Sequence, residues 1–230
     1  MNQTDLIILA VYLLSVTYII YQAIISLEAQ TVFRFDQTAL AAYLSQSKIG
    51  DVPLSSFVDI NFSFKPRYKF SEQPTALSAV IVNKSPSATL NIDWDSSSIT
   101  NHAGKVRRAI RLTPNLQPSD LNDRQVVSTI PPSRSLAAVI APEDALKPDP
   151  EKGTLVPNGA IVDLSDVFKN KPLQAQFEER EASLQFTLRL LLQIVNIADG
   201  AKRDYWSFVP CTFYIDRIPF TDYIPWNPTS

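Results

Sequence analysis

Twenty-two consecutive residues, Leu6 to Leu27 (LIILAVYLLSVTYIIYQAIISL), carry no charge. At about 1.5 Å per helical residue they reach about 33 Å, the depth of a bilayer's hydrocarbon core. The expectation is one N-terminal transmembrane helix within residues 1–30, with everything after Glu28 folding as a globular unit. The segment reads as an uncleaved anchor. Residues 1–5 hold no Lys or Arg, the apolar run exceeds the roughly seven to fifteen residues of a signal peptide, and Leu27-Glu28-Ala29 is a poor small-x-small site. Positive charge appears only beyond the helix, at Arg34 and Lys48, which leans the soluble domain toward the cytoplasmic side. Tyr12, Ser15, Thr17 and Tyr18 give the helix polar groups suited to hydrogen-bonding a neighbouring membrane helix, and no GxxxG marks a self-dimerising face.

The charge balance narrows the function classes. With 21 Lys plus Arg against 23 Asp plus Glu the formal charge is −2, so no global basic field recruits nucleic acid. Seventeen prolines against five glycines predict stiff, extended loops. Cys211 is the single cysteine and cannot close an internal disulfide; lying among Phe208, Val209 and Phe213, it reads as a buried packing thiol. His102, in the polar turn Thr100-Asn101-His102-Ala103-Gly104, reads as a solvated turn residue. One Cys and one His leave too few soft ligands for zinc, and no cofactor is implied.

Past the anchor, Asp36 is placed to cap a short helix over Gln37–Gln46 that carries Leu40, Tyr43 and Leu44 on one face, within a juxtamembrane helix and linker over 31–56. The periodicity then changes to two. Val58, Ile60, Phe62 and Phe64 alternate with Asp59, Asn61 and Ser63, and further runs follow at Leu77–Asn83, Thr89–Trp94, Val106–Leu112, Gln125–Ile130 and Leu136–Ala141. Near the end, Leu184, Phe186, Leu188, Leu190, Leu192 and Ile194 occupy every second position, and Asp199-Gly200 opens a hairpin turn into Tyr205–Ile215. The fold expected is mainly β, an immunoglobulin-like antiparallel β-sandwich over 57–217 preceded by the transmembrane helix. A Pro-rich surface excursion at 147–172 holds a brief element near 160–168, a helical turn follows at 176–181, and an extended tail covers 218–230. Ile92 and Trp94 are expected to point inward.

The stretch Leu77-Ser78-Ala79-Val80-Ile81-Val82-Asn83, then Lys84-Ser85-Pro86, then Thr89-Leu90-Asn91-Ile92-Asp93-Trp94, resembles the strand, Asn-containing turn and strand of the late-embryogenesis-abundant type 2 (water-stress, hypersensitive-response) domain. That resemblance implies a β-sandwich, often membrane-anchored, without established catalysis.

Three places invite a chemical reading. Asp93-Trp94-Asp95 after an apolar strand is how haloacid-dehalogenase-like enzymes present a nucleophilic carboxylate and its acid/base partner to a magnesium-bound phosphate. That chemistry sits on a parallel sheet, whereas this chain spaces its strands as hairpins. A calcium loop started there wants glycine where Ser98 stands and glutamate where Gly104 stands. Asp95 and the serines also suit a turn closed by side-chain to backbone bonds. The third place is a pair of basic clusters: Lys65, Arg67 and Lys69, and Lys105, Arg107 and Arg111 with Arg108 among them. They are candidate contacts for a membrane surface or a partner. The function expected is that of a non-catalytic, single-pass membrane-anchored interaction domain, an accessory or assembly subunit whose partners are lipid and another membrane protein. The alternatives are a lipid- or small-ligand-binding sandwich and, more remotely, a membrane-anchored metal-dependent phosphohydrolase using Asp93 and Asp95.

Overall fold

The computed structural model describes residues 3–26, 30–70, 72–179, 183–198 and 201–218. In chain order, α1 (Gln3–Ser26), β1 (Gln30–Phe35) and α2 (Gln37–Gln46) come first. They are followed by β2 (Lys48–Ile49), β3 (Val52–Pro53), β4 (Val58–Ser63), β5 (Tyr68–Lys69), β6 (Leu77–Asn83), β7 (Thr89–Thr100) and β8 (Val106–Arg111). The second half adds β9 (Ser128–Ile130), β10 (Ser135–Pro142), β11 (Leu146–Pro148), β12 (Leu155–Pro157), α3 (Ser165–Lys169), α4 (Lys171–Glu178), β13 (Leu184–Ala198) and β14 (Ala201–Ile218). The chain is mainly β, and the pairings among the described residues are antiparallel.

Ten strands form one hydrogen-bonded sheet in the order β4-β6-β10-β8-β7-β13-β14-β1-β5, with β9 beside β7. Period-two patterning gives it one dry side: β6 buries Leu77, Ala79 and Ile81, and β13 buries Leu184, Phe186, Leu188, Leu190, Leu192 and Ile194. A flat sheet of this width would leave that side in water, so it curls. β8 carries the curl. Its first half, Val106–Arg108, pairs with β7, and its second half, Ala109–Arg111, pairs with β10. The two ends of the sheet thereby meet. Phe62 of β4 lies 4.8 Å from Phe35 of β1 and 4.8 Å from Phe213 of β14, and Phe64 lies 6.0 Å from Phe33. Phe186 and Phe213, cross-strand partners, stack at 4.7 Å.

The globular unit begins at Gln30, earlier than the linker expected over 31–56. Thr31-Val32-Phe33-Arg34-Phe35 alternates, with Thr31 and Phe33 buried, and β1 pairs with β14 from Gln30↔Ile218 to Phe35↔Phe213. α2 forms where its cap was expected: Asp36 Oδ1 accepts the Ala39 N–H at 2.8 Å, and Leu40 and Leu44 are buried. Beyond Phe213 the edge of β14 has no β1 opposite it, and α2 covers part of it. The Asp36 N–H donates to Thr212 O at 2.9 Å and the Tyr43 hydroxyl donates to Phe208 O at 2.6 Å. Pro210 lies between those two carbonyls, where a missing N–H costs no ladder bond.

Two further expectations need correcting. The strand expected at Gln125–Ile130 is only Ser128–Ile130, because Gln125 stands in for backbone along β8: its Oε1 accepts the Arg111 N–H and its Nε2 donates to Ala109 O, both at 2.9 Å. The 147–172 excursion is more than surface. β11 pairs with β12, Ile161, Val162, Leu164 and Val167 enter the main core, and a Cβ on Gly159 would stand 3.1 Å from Ala145 Cα. The helical turn expected at 176–181 is the end of α4; residues 180–181, the Asp199-Gly200 turn and tail residues 219–230 lie outside the described residues.

Among the described residues no helix is long and apolar enough to cross a membrane. The transmembrane span expected over residues 6–27 is therefore not carried by the structure. What is visible is an α1 whose described apolar side chains are exposed, apart from the half-buried Val16.

The turn between β6 and β7 is fastened from inside. Asn83 is buried and its Nδ2 donates to the carbonyls of Ala88, Ile130 and Pro131 at 2.8, 3.0 and 3.1 Å, while its Oδ1 accepts the Ser85 N–H. Ile92 and Trp94 are fully buried, and the Trp94 indole N–H donates to Ser128 Oγ at 2.8 Å. Trp94→Ala is expected to cost about 3–5 kcal/mol, read as a lowered urea midpoint of the full chain in detergent.

Candidate functional site

The Asp93–Asp95 corner is built by a misfit between two strands. The pairing of β7 with β13 jumps from Asp93↔Leu191 to Ser98↔Arg189, so residues 94–97 of β7 span a gap that β13 crosses with Leu190 alone. Side chains fill the ladder that is lost. Asp93 Oδ1 accepts the N–H groups of Asp95 and Ser96 at 3.0 and 3.2 Å, and its Oδ2 accepts the Ser96 hydroxyl. The Ser97 hydroxyl donates to Asp93 O at 2.6 Å and accepts the Leu191 N–H at 3.1 Å. Asp95 accepts the Arg108 guanidinium at 2.5 Å and the Gln125 N–H at 3.1 Å. Burial pushes the Asp95 carboxyl up, but Arg108 and Gln125 together outweigh it and hold it below its ordinary value. The Asp93 carboxylate thus shapes the bulge, and the Asp95 carboxylate ties it to Arg108 and the Gln125 backbone. Among the described residues no three His, Cys, Asp or Glu side chains gather to hold a metal.

Two basic clusters that look alike in sequence differ in space. In the second, Lys105 and Arg107 both pair with Asp144, at 2.9 and 3.2 Å. Arg107 is only 9% exposed and also donates to Ile161 O. Arg108 bridges Asp95 and Leu121 O, and Arg111 donates to Ser128 Oγ at 2.8 Å. Asp144, like Asp95, is pushed up by burial and brought below its ordinary value by Lys105 and Arg107. These cations stitch β8 to the loops around it. In the first cluster Lys65, Arg67 and Lys69 are all exposed. Their platform is rigid: the Tyr68 hydroxyl accepts the Lys65 N–H at 3.0 Å, and the Tyr68 ring meets Phe33 edge-on at 5.2 Å. An open concavity of about 470 Å³ beside it is lined by Ser63, Phe64, Lys65, Tyr68, Glu72 and Gln73 among others.

On α1, Tyr12, Ser15, Thr17 and Tyr18 are exposed, and the Ser15 hydroxyl donates to Val11 O at 2.8 Å, back into its own helix. Cys211 is buried, and burial pushes its thiol up. His102 is half-buried in a turn held by Asn101 Oδ1, which accepts the N–H groups of Ala103 and Lys105. Two features escaped the sequence reading. Trp206 and Phe208 are exposed on β14, with the Arg189 guanidinium 4.9 Å above the Phe208 ring; the signal was their opposite phase to Val209, Cys211 and Phe213. A cleft of about 290 Å³, bordered by Ile110, Arg111, Leu121, Gln125 and Val126, lies under the 112–127 loop. No family model, no curated protein and no solved structure matches this chain.

Asp95 and Asp144 make stability acid-sensitive in a defined direction. Their native values are depressed, so what they add is present above the unfolded carboxylate value of about 3.9 and is lost as pH falls through the native values. Urea midpoints of the full chain are expected to fall below about pH 4, and to fall less steeply in an Asp95→Asn, Asp144→Asn variant that starts out less stable at pH 7.

Proposed function

We propose that this chain is a non-catalytic interaction domain held at a membrane by α1, an accessory or assembly subunit of a membrane complex. The observation that carries this reading is the surface of α1, where the large apolar side chains from Leu6 to Ile20, apart from the half-buried Val16, range from 46% exposed at Leu9 to 71% at Leu14. Apolar surface left in water costs about 25 cal/mol for each Å², and a helix, whose backbone bonds are internal, is a form that lipid accepts. The 24 residues of α1 amount to about 36 Å. Arg34 and Lys48 beyond the helix lean toward a cytoplasmic side for the domain.

Support for a binding role comes from what the polar groups do. Asp93 and Asp95 hold a bulge, which counts against a phosphohydrolase. We read the two-layered sheet as an immunoglobulin-like sandwich, and the resemblance of residues 77–94 to the late-embryogenesis-abundant type 2 domain points to display, too. The polar residues of α1 and the exposed pair Trp206 and Phe208 are the surfaces we assign to a protein partner.

The test uses the full chain. It is expected to float with phosphatidylcholine vesicles and to stay in the pellet after an alkaline carbonate wash. Leu13→Lys with Ile20→Lys, each charge costing about 2.5–3.5 kcal/mol near a bilayer's centre, should release it. Release of the unaltered chain by carbonate would overturn the reading.

A further inference from the structure

We infer that the exposed lysines Lys65 and Lys69 form a docking surface for anionic phospholipid headgroups, laying the β5 end of the domain against the membrane; this rests on α1 being the membrane element. Covalent geometry comes first. α1 ends at Ser26 and β1 starts at Gln30, four Cα steps apart, so the start of β1 lies within about 15 Å of the end of α1 whatever path the chain takes. Gln30 is the direct cross-strand partner of Lys69, and Thr31 that of Tyr68, which places Lys69 one strand spacing, about 5 Å, from the first residue of β1. Lys65 is fixed to the same corner through Tyr68.

Charge then separates this corner from the second basic cluster. The chain as a whole is acidic, with a formal charge of −2, so an anionic surface does not attract it indiscriminately. Lys105, Arg107 and Arg108 are neutralised by Asp144, Asp95 and Glu143, whereas Lys65 and Lys69 enter no ion pair among the described residues. Glu72 is the one carboxylate lining the concavity beside them, which leaves the lysines in excess. The tether keeps this corner within about 20 Å of the end of α1, close enough for the domain to tip it onto the headgroups, inside the one Debye length of roughly 8–10 Å over which surface cations are felt. Each lysine in contact should favour the docked orientation about fivefold on an anionic leaflet, and the two together about 25-fold.

The experiment labels the full chain with a fluorophore at Ser63→Cys, beside the lysines, or at Ser87→Cys, in the turn at the opposite end of the β4–β6 pair. Buried Cys211 stays unlabelled. The chain is bound to phosphatidylcholine vesicles with or without one third phosphatidylserine, carrying a headgroup-borne quencher. Quenching at Ser63→Cys is expected to rise with phosphatidylserine and to fall back in high salt or in Lys65→Glu, Lys69→Glu, while Ser87→Cys stays unchanged. A chain that floats on phosphatidylcholine but shows no phosphatidylserine response at Ser63→Cys overturns this inference and leaves the anchor standing. A chain that does not float on phosphatidylcholine overturns both.

Discussion

An apolar side running across a ten-stranded sheet can be kept from water only if the sheet turns back on itself, and the place where it does so is a cluster of phenylalanines. Phe62 of β4 touches Phe35 of β1 and Phe213 of β14 without sharing a hydrogen bond with either strand. Aromatic contacts of this kind add about 0.5–1.5 kcal/mol beyond their buried area, and here the one between Phe62 and Phe213 joins residues 151 positions apart in the chain. That closure lets α2, with Leu40 and Leu44, and the stretch from Ile161 to Val167 drop into a core that already has walls.

The closure has two local preconditions. β8 must serve both sides of the curl, which it does by pairing each half with a different neighbour. β7 must lengthen where it passes β13, which the bulge at residues 94–97 allows. Both are polar solutions inside a largely apolar structure. Arg107, Arg108 and Arg111 hold β8 to its flanks, and Asp93, Asp95, Ser96 and Ser97 replace the bonds the bulge gives up. Residues that look chemically active in one dimension are consumed in keeping a sheet curved.

That also explains what was legible in the sequence. Periodicity is local, so the strands over Leu77–Asn83 and Leu184–Ile194 and the Asp36-capped helix Gln37–Gln46 could be read from adjacent residues. β1 was missed because its five alternating residues directly follow the apolar helix and were absorbed into a linker. The Gln125–Val127 segment reads as strand in sequence, but Gln125 bonds β8 through its side chain where a strand would use its backbone. The fates of the two basic clusters were not legible, since they depend on Asp144 and Ile161, which lie 37 and 54 positions from Arg107. Nothing near Lys65 or Lys105 in sequence distinguishes one from the other.

The outer margin of β14 illustrates how such a domain stays apart from its own copies. A long hairpin with exposed aromatics along one strand is a template onto which further chains can stack in register, growing a fibre. Here the template is interrupted: β1 occupies one stretch, the α2 hydroxyl and amide take two carbonyls of the next, and Pro210 offers no donor between them. An incoming strand would meet a ladder with missing rungs, which works against polymerisation when many copies are crowded together.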